Sequence, residues 1–347
     1  MNPPAQVQRM FYIDLVRAIS VLLIITYHFN QQIGAHGIHA AEIFKQTFAS
    51  ENIGSLGITL FIILSGAALM ASYGRTLELR TYARKRFLAI FPLYWTGFLV
   101  TAATLFLLHG HLRGDSAHWK FLLTIIGFDG FLYYRIPNYY LLGEWFIGFI
   151  LLLYLGFPLL RKALKQQPLL LCIGVLALYV SITTFYNELF VIDIVHNPLT
   201  RLPDFVFGMM FVAYVKRVSQ SALLLAIVVF GVPLVWHLPI PHIYVAFLMG
   251  MSAFATLAFI AQKIETNARV NGGIAFISKY SFPAFLVHHN IIGELLVRFM
   301  NTSLGRVEVY FLYLIVLILT FSAAVLLTRL TNTVTRGFKP SAASQQA

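Results

Sequence analysis

Ten apolar runs that read as membrane crossings punctuate this sequence, near 12–29, 53–73, 87–108, 139–160, 168–185, 203–215, 221–236, 242–261, 280–298 and 307–328. A helix rises 1.5 Å per residue, so about 20 mostly apolar residues cross a hydrocarbon core of ~30 Å. No water is available there to satisfy backbone N–H and C=O groups, and a helix satisfies them within its own segment. The balance of 59% hydrophobic to 11% charged residues, with a mean hydropathy of +0.78, excludes a soluble globule. The expected fold is an all-α polytopic membrane protein of ten transmembrane helices.

The basic residues orient it. With the N-terminus inside, seventeen of the 25 Lys and Arg residues fall in inner loops and tails. The outer side keeps Lys45, Arg113, Lys120, Arg135, Arg201, Arg298 and Arg306. An eleventh, shorter apolar run at 121–134 would reverse every later loop if it crossed, against the positive-inside rule. It is expected to be re-entrant or interfacial, with both termini cytoplasmic. The +12 net charge is spread in short clusters between apolar runs, which fits the bilayer and excludes a nucleic-acid partner. No cleavable signal is read at the N-terminus, so the first helix is expected to persist. Residues 1–335 are expected to form one membrane domain and 336–347 a short disordered cytoplasmic tail, with no soluble domain at either end.

The chemistry has to come from groups other than thiols. Cys172 is the only cysteine and lies in an apolar run, which excludes an internal disulfide and a cysteine metal cluster; no metal is expected. In the first run, YIDLVRAISVLLIITYHF, Asp14, Arg17 and His28 interrupt the hydrocarbon. Eleven residues at 100° each bring Arg17 and His28 to one helix face, ~16 Å apart along the axis. Asp14, one turn earlier, can pair with Arg17. Such groups either fix helix register or face a wet functional cavity. The basic cluster RTLELRTYARKRF, before the third helix, serves orientation or clamps phosphates through Arg84, Lys85 and Arg86. Tyr94 and Trp95 inside that helix are expected to pack. Ser65 and Gly66 either allow close helix contact or present a donor to an oxyanion. Glu144, opening the fourth helix, can orient a histidine or sit as an interfacial charge. Arg201 and Asp204 form a solvated pair or offer both signs of hydrogen bond to a sugar-like acceptor. Of the adjacent His288 and His289, at most one naturally shares a cavity with His28.

Five stretches, in order, resemble membrane acyltransferase family three: the R-x10-H of Arg17 and His28, FIILSGA, RKRFLAIFPLYW, RLPDFVFGM and ISKYSFPAFLVHHNII. They cover nearly the whole chain. The resemblance implies transfer of an acyl group, usually acetyl, from cytoplasmic acyl-coenzyme A to a hydroxyl of an extracytoplasmic carbohydrate or glycolipid. A bacterial cytoplasmic membrane is the expected location. Two departures stand out. Arg86 matches the first position of an R-x-x-R pair whose second is Ala89 here, and Glu144 precedes Trp145 where many members carry a double glutamate after it.

The sequence therefore assigns His28 and Glu144 to catalysis, with Arg17, Arg84, Lys85 and Arg86 on the donor. Arg201, Asp204 and His288 are assigned to the acceptor. A transporter or flippase using the same groups, and a non-catalytic docking partner, are the competing readings.

Overall fold

The structure, a computed structural model, describes residues 10–49, 51–110, 116–143, 145–215, 217–264 and 268–335. Among these, the helices in chain order are α1 (Phe11–Ala35), α2 (Ile53–Tyr73), α3 (Leu79–His109), α4 (Phe121–Ile125), α5 (Asp129–Leu132), α6 (Phe146–Gln166) and α7 (Pro168–Thr184). They continue with α8 (Tyr186–Leu189), α9 (Leu202–Tyr214), α10 (Gln220–Val235), α11 (His242–Ile264), α12 (Ala268–Leu296) and α13 (Arg306–Val334). The strands, β1 (Thr47–Phe48) and β2 (Glu51–Asn52), form one antiparallel pair.

Every apolar run forms a helix. Among the described residues α1, α2, α3, α6, α11 and α13 are long and apolar enough to cross a membrane, and α7, α9 and α10 are shorter apolar helices. The starts of three helices differ from the runs. α12 begins twelve residues before its run because Arg269, Asn271 and Lys279 continue the helix without continuing the hydropathy. α3 likewise begins ahead of its run, so the basic cluster from Arg80 onward rides on its first turns rather than preceding it. α6 starts at Phe146, seven residues late. The run at 121–134 makes two short helices, α4 and α5, neither long enough to cross.

Local chemistry sets several ends. The Asn52 side chain accepts from Ser55 N–H at 2.8 Å and caps α2, and Ser219 caps α10 through Ala222 N–H at 3.1 Å. Gly110, in the left-handed region at φ 75°, closes α3.

The chain divides into two units, Met1–Ala35 with Ala40–Leu77 and Phe149–Lys279, and His36–His39 with Glu78–Gly148 and Tyr280–Ala347. In the first unit α2 is the hub, packed by α1, α9 and α11. A Cβ on Gly66 would lie 2.0 Å from the Phe205 carbonyl oxygen, and one on Gly208 would lie 1.8 Å from that of Ile63. These two glycines let the α2 and α9 backbones touch, the usual role of small residues between membrane helices. Beside that crossing Leu60, Ile63, Leu64, Phe211 and Phe254 form a dry core, with Tyr12 edge-on to both phenylalanine rings.

In the second unit α3 packs against α13. Tyr94, fully buried, donates to Asp129 Oδ1 at 2.7 Å, and Trp95 Nε1 donates to the Ile125 carbonyl at 3.0 Å. These α3 aromatics pack as expected, and they also anchor α4 and α5.

Candidate active site

α1 carries the site because its polar residues recur on a face that the apolar ones leave. Asp14 is buried at 5% exposure and Arg17 is half-buried. From the early part of α12, the Ser278 hydroxyl donates to Asp14 Oδ1 at 2.6 Å and accepts from Arg17 Nη1 at 3.4 Å. The hydroxyl thus ties the carboxylate and the guanidinium to one point of another helix, 264 and 261 positions away in the chain.

These three residues line a cavity of about 590 Å³ that lies wholly in the first unit. Ala68, Ala71 and Ser72 of the last turns of α2 form one wall, and Gly272, Ala275, Phe276 and Lys279 of α12 another. Small residues make the room. Arg17 and the exposed Lys279 bring two cations against the one carboxylate of Asp14, while Met10, Ile13 and Phe276 add apolar surface. A ligand suited to it is anionic at one part and apolar at another.

The end of α2 that walls this cavity would ordinarily turn unsatisfied carbonyls, and the negative pole of the helix, towards an incoming anion. Arg161 of α6 removes that obstacle. Its Nε donates to the Tyr73 carbonyl at 2.6 Å, and its Nη2 to those of Gly74 and Arg75 at 3.2 and 3.0 Å.

His28 lies on the same unbroken helix as Arg17, half-buried, with its ring edge-on to Tyr27 at 5.2 Å. Within the second unit, Arg84 and Lys85 are exposed and Arg86 is half-buried on the first turns of α3. Glu144 lies outside the described residues.

Arg201 and Asp204 are not a solvated pair. Their side chains are each 2% exposed, Arg201 Nε stands 3.0 Å from Asp204 Oδ2, and the guanidinium also donates to Thr59 Oγ1 of α2. Nearby in the loop, burial pushes the His196 imidazole below its ordinary range, Asp193 opposing this and Arg201 adding to it. The Ser65 hydroxyl donates to the Phe61 carbonyl of its own helix at 2.8 Å, so the Ser65–Gly66 pair serves packing. His288 is fully buried, its Nδ1 donating to the Phe285 carbonyl at 2.7 Å, and its ring lies 4.7 Å from that of His289.

Sequence reasoning missed Ser278, Lys279 and Arg161 as site residues. The first two lie on the polar stretch of α12 upstream of the apolar run at 280–298, and Arg161 is one of the seventeen inner cations whose pattern shows only orientation.

A family model described as an acyltransferase domain matches residues 10–329. No curated protein and no solved structure matches the chain.

Proposed function

The chain belongs to acyltransferase family three, and from that premise we propose that it is a transmembrane O-acyltransferase taking acetyl, or another short acyl group, from cytoplasmic acyl-coenzyme A. The acceptor in this reading is a hydroxyl of an extracytoplasmic polysaccharide or glycolipid, and the setting is a bacterial cytoplasmic membrane.

The observation that carries the proposal is the cavity at the start of α1, where Arg17 and Lys279 stand beside apolar surface in about 590 Å³. Coenzyme A has the matching character, phosphates at one end and a neutral pantetheine arm leading to the thioester. Guanidinium and ammonium groups in a partly desolvated site hold phosphate strongly. Arg84, Lys85 and Arg86 on α3 are proposed to supply further cation to the donor phosphates, and the positive-inside rule supports a cytoplasmic donor.

His28 is the proposed base. Its imidazole takes the proton of the acceptor hydroxyl as that oxygen attacks the thioester carbonyl. The C–S bond then breaks, and the imidazolium returns the proton to the departing coenzyme A thiolate. A base of this kind is worth about 10²–10⁴-fold in rate. Glu144 is proposed to orient it. Arg201, Asp204 and His288 enter with a condition set by burial: a sugar touches them only by displacing the groups that now cover them.

Membranes containing the protein, given acetyl-coenzyme A labelled in the acetyl group, are the test. Covalent label on a glycan or glycolipid supports the reading. Label that moves without bond formation supports the transporter reading, and no acceptor label under any condition overturns ours.

A further inference from the structure

A second cavity, of about 510 Å³, lies wholly within the second unit between α3, α12 and α13. Its walls are aliphatic over most of their length, with Val100, Leu105, Ile291, Leu326 and Leu327 among them. Two of the polar groups on those walls are engaged elsewhere: Thr104 donates to the Val100 carbonyl at 2.8 Å and Asn290 to that of Leu141 at 3.0 Å. Along α3 the lining runs from Gly97 to Leu108. At 1.5 Å per residue that is ~16 Å, about the depth of one leaflet of a ~30 Å hydrocarbon core. One end carries Glu294, whose carboxylate stands 2.9 Å from Nε2 of His109, the last residue of α3.

A lipid tail is as apolar as leucine, so the slot itself cannot choose among lipids. Any choice has to be made by the pair at its rim. We propose that the slot holds one acyl chain of an amine-bearing glycerophospholipid, its ammonium on Glu294 and its phosphate facing the His109 imidazole. Charge complementarity selects this occupant. A fatty acid or a polyprenyl pyrophosphate brings only negative charge to Glu294, and a choline headgroup has no N–H to donate to a carboxylate.

The test uses the purified full chain in nanodiscs with phosphatidylethanolamine, phosphatidylglycerol or phosphatidylcholine, each carrying a photoactivatable group in one acyl chain. Labelled peptides are mapped by mass spectrometry. Phosphatidylethanolamine is expected to label 97–108, 287–294 and 323–330 above the other two. Glu294→Gln should bring it down to the phosphatidylcholine level, a change of about tenfold for one charge-assisted hydrogen bond. Ala323→Phe, which fills the slot, should remove the label from these segments. Equal labelling by all three lipids, preferential labelling by a polyprenyl pyrophosphate probe, or label unaffected by Glu294→Gln in monodisperse protein overturns the proposal. The readout is binding alone, so it stands or falls separately from the acyl-transfer reading.

Discussion

Arg17 and Ser278, 261 positions apart in sequence, meet at 3.4 Å, and the same serine hydroxyl donates to Asp14 at 2.6 Å. Arg17 is thereby aimed at the cavity that the start of α12 closes. Arg17→Ala should raise the KM for acyl-coenzyme A by about tenfold to a hundredfold, the equivalent of one hydrogen bond to a charged group at ~1.5–3 kcal/mol. Arg17→Lys should fall between, because an ammonium keeps the charge and loses the fork. Donor-saturation kinetics in membranes measure both.

Arg161 makes three hydrogen bonds, to the carbonyls of Tyr73, the last residue of α2, and of Gly74 and Arg75 after it, and those bonds cover a negative helix end beside the cavity proposed for the donor. Arg161→Gln should weaken donor binding while leaving kcat within about twofold, since only ground-state association is disturbed. Arg161→Lys should restore part of the affinity. A fall in kcat at unchanged KM would contradict this.

Gly66 and Gly208 set how closely α2 and α9 approach. Gly208→Val forces backbone apart at a site with no flexible neighbour to yield, and overpacking commonly costs ~1–3 kcal/mol even where side chains can give. The expected result is a lowered thermal midpoint and reduced yield of monodisperse protein, read by fluorescence-detected size exclusion. Gly110→Ala, at the end of α3, meets no atom within 4 Å and should cost only the strain of its left-handed backbone.

Arg201 and Asp204 are sealed together, each at 2% exposure. Asp204→Ala leaves a buried guanidinium without its carboxylate, a change that costs ~3–5 kcal/mol. The double variant Arg201→Met, Asp204→Leu removes both charges and should recover most of that stability. Thermal unfolding in detergent compares the two.

Much of the fold could be read from hydropathy because a hydrocarbon solvent imposes it, and all ten apolar runs are helical. The method fails where a helix continues on polar residues. Residues 268–279 of α12 carry Arg269, Asn271 and Lys279, so the wall bearing Ser278 was invisible to a search for apolar runs. Helical periodicity placed Arg17 and His28 on one helix, and α1 is unbroken between them. It could not say whether two charges three residues apart would be buried. Spacing left Arg201 and Asp204 open between a solvated pair and a contact for a sugar-like acceptor, and the structure buries both, with the guanidinium bonded to Thr59 of a distant helix. Tyr94 and Trp95 showed their packing role in sequence, but their partners, Asp129 and the Ile125 carbonyl, depend on how α4 and α5 fold back.

The central claim is that an imidazole on α1 deprotonates the acceptor, and the most direct measurement is the rate at which labelled acetyl from acetyl-coenzyme A enters membrane glycan with His28→Ala against the unaltered chain. At matched levels of inserted, monodisperse protein, the account predicts a fall of about 10²-fold or more, with donor binding at the Arg17 cavity preserved. An unchanged rate in the variant would contradict it.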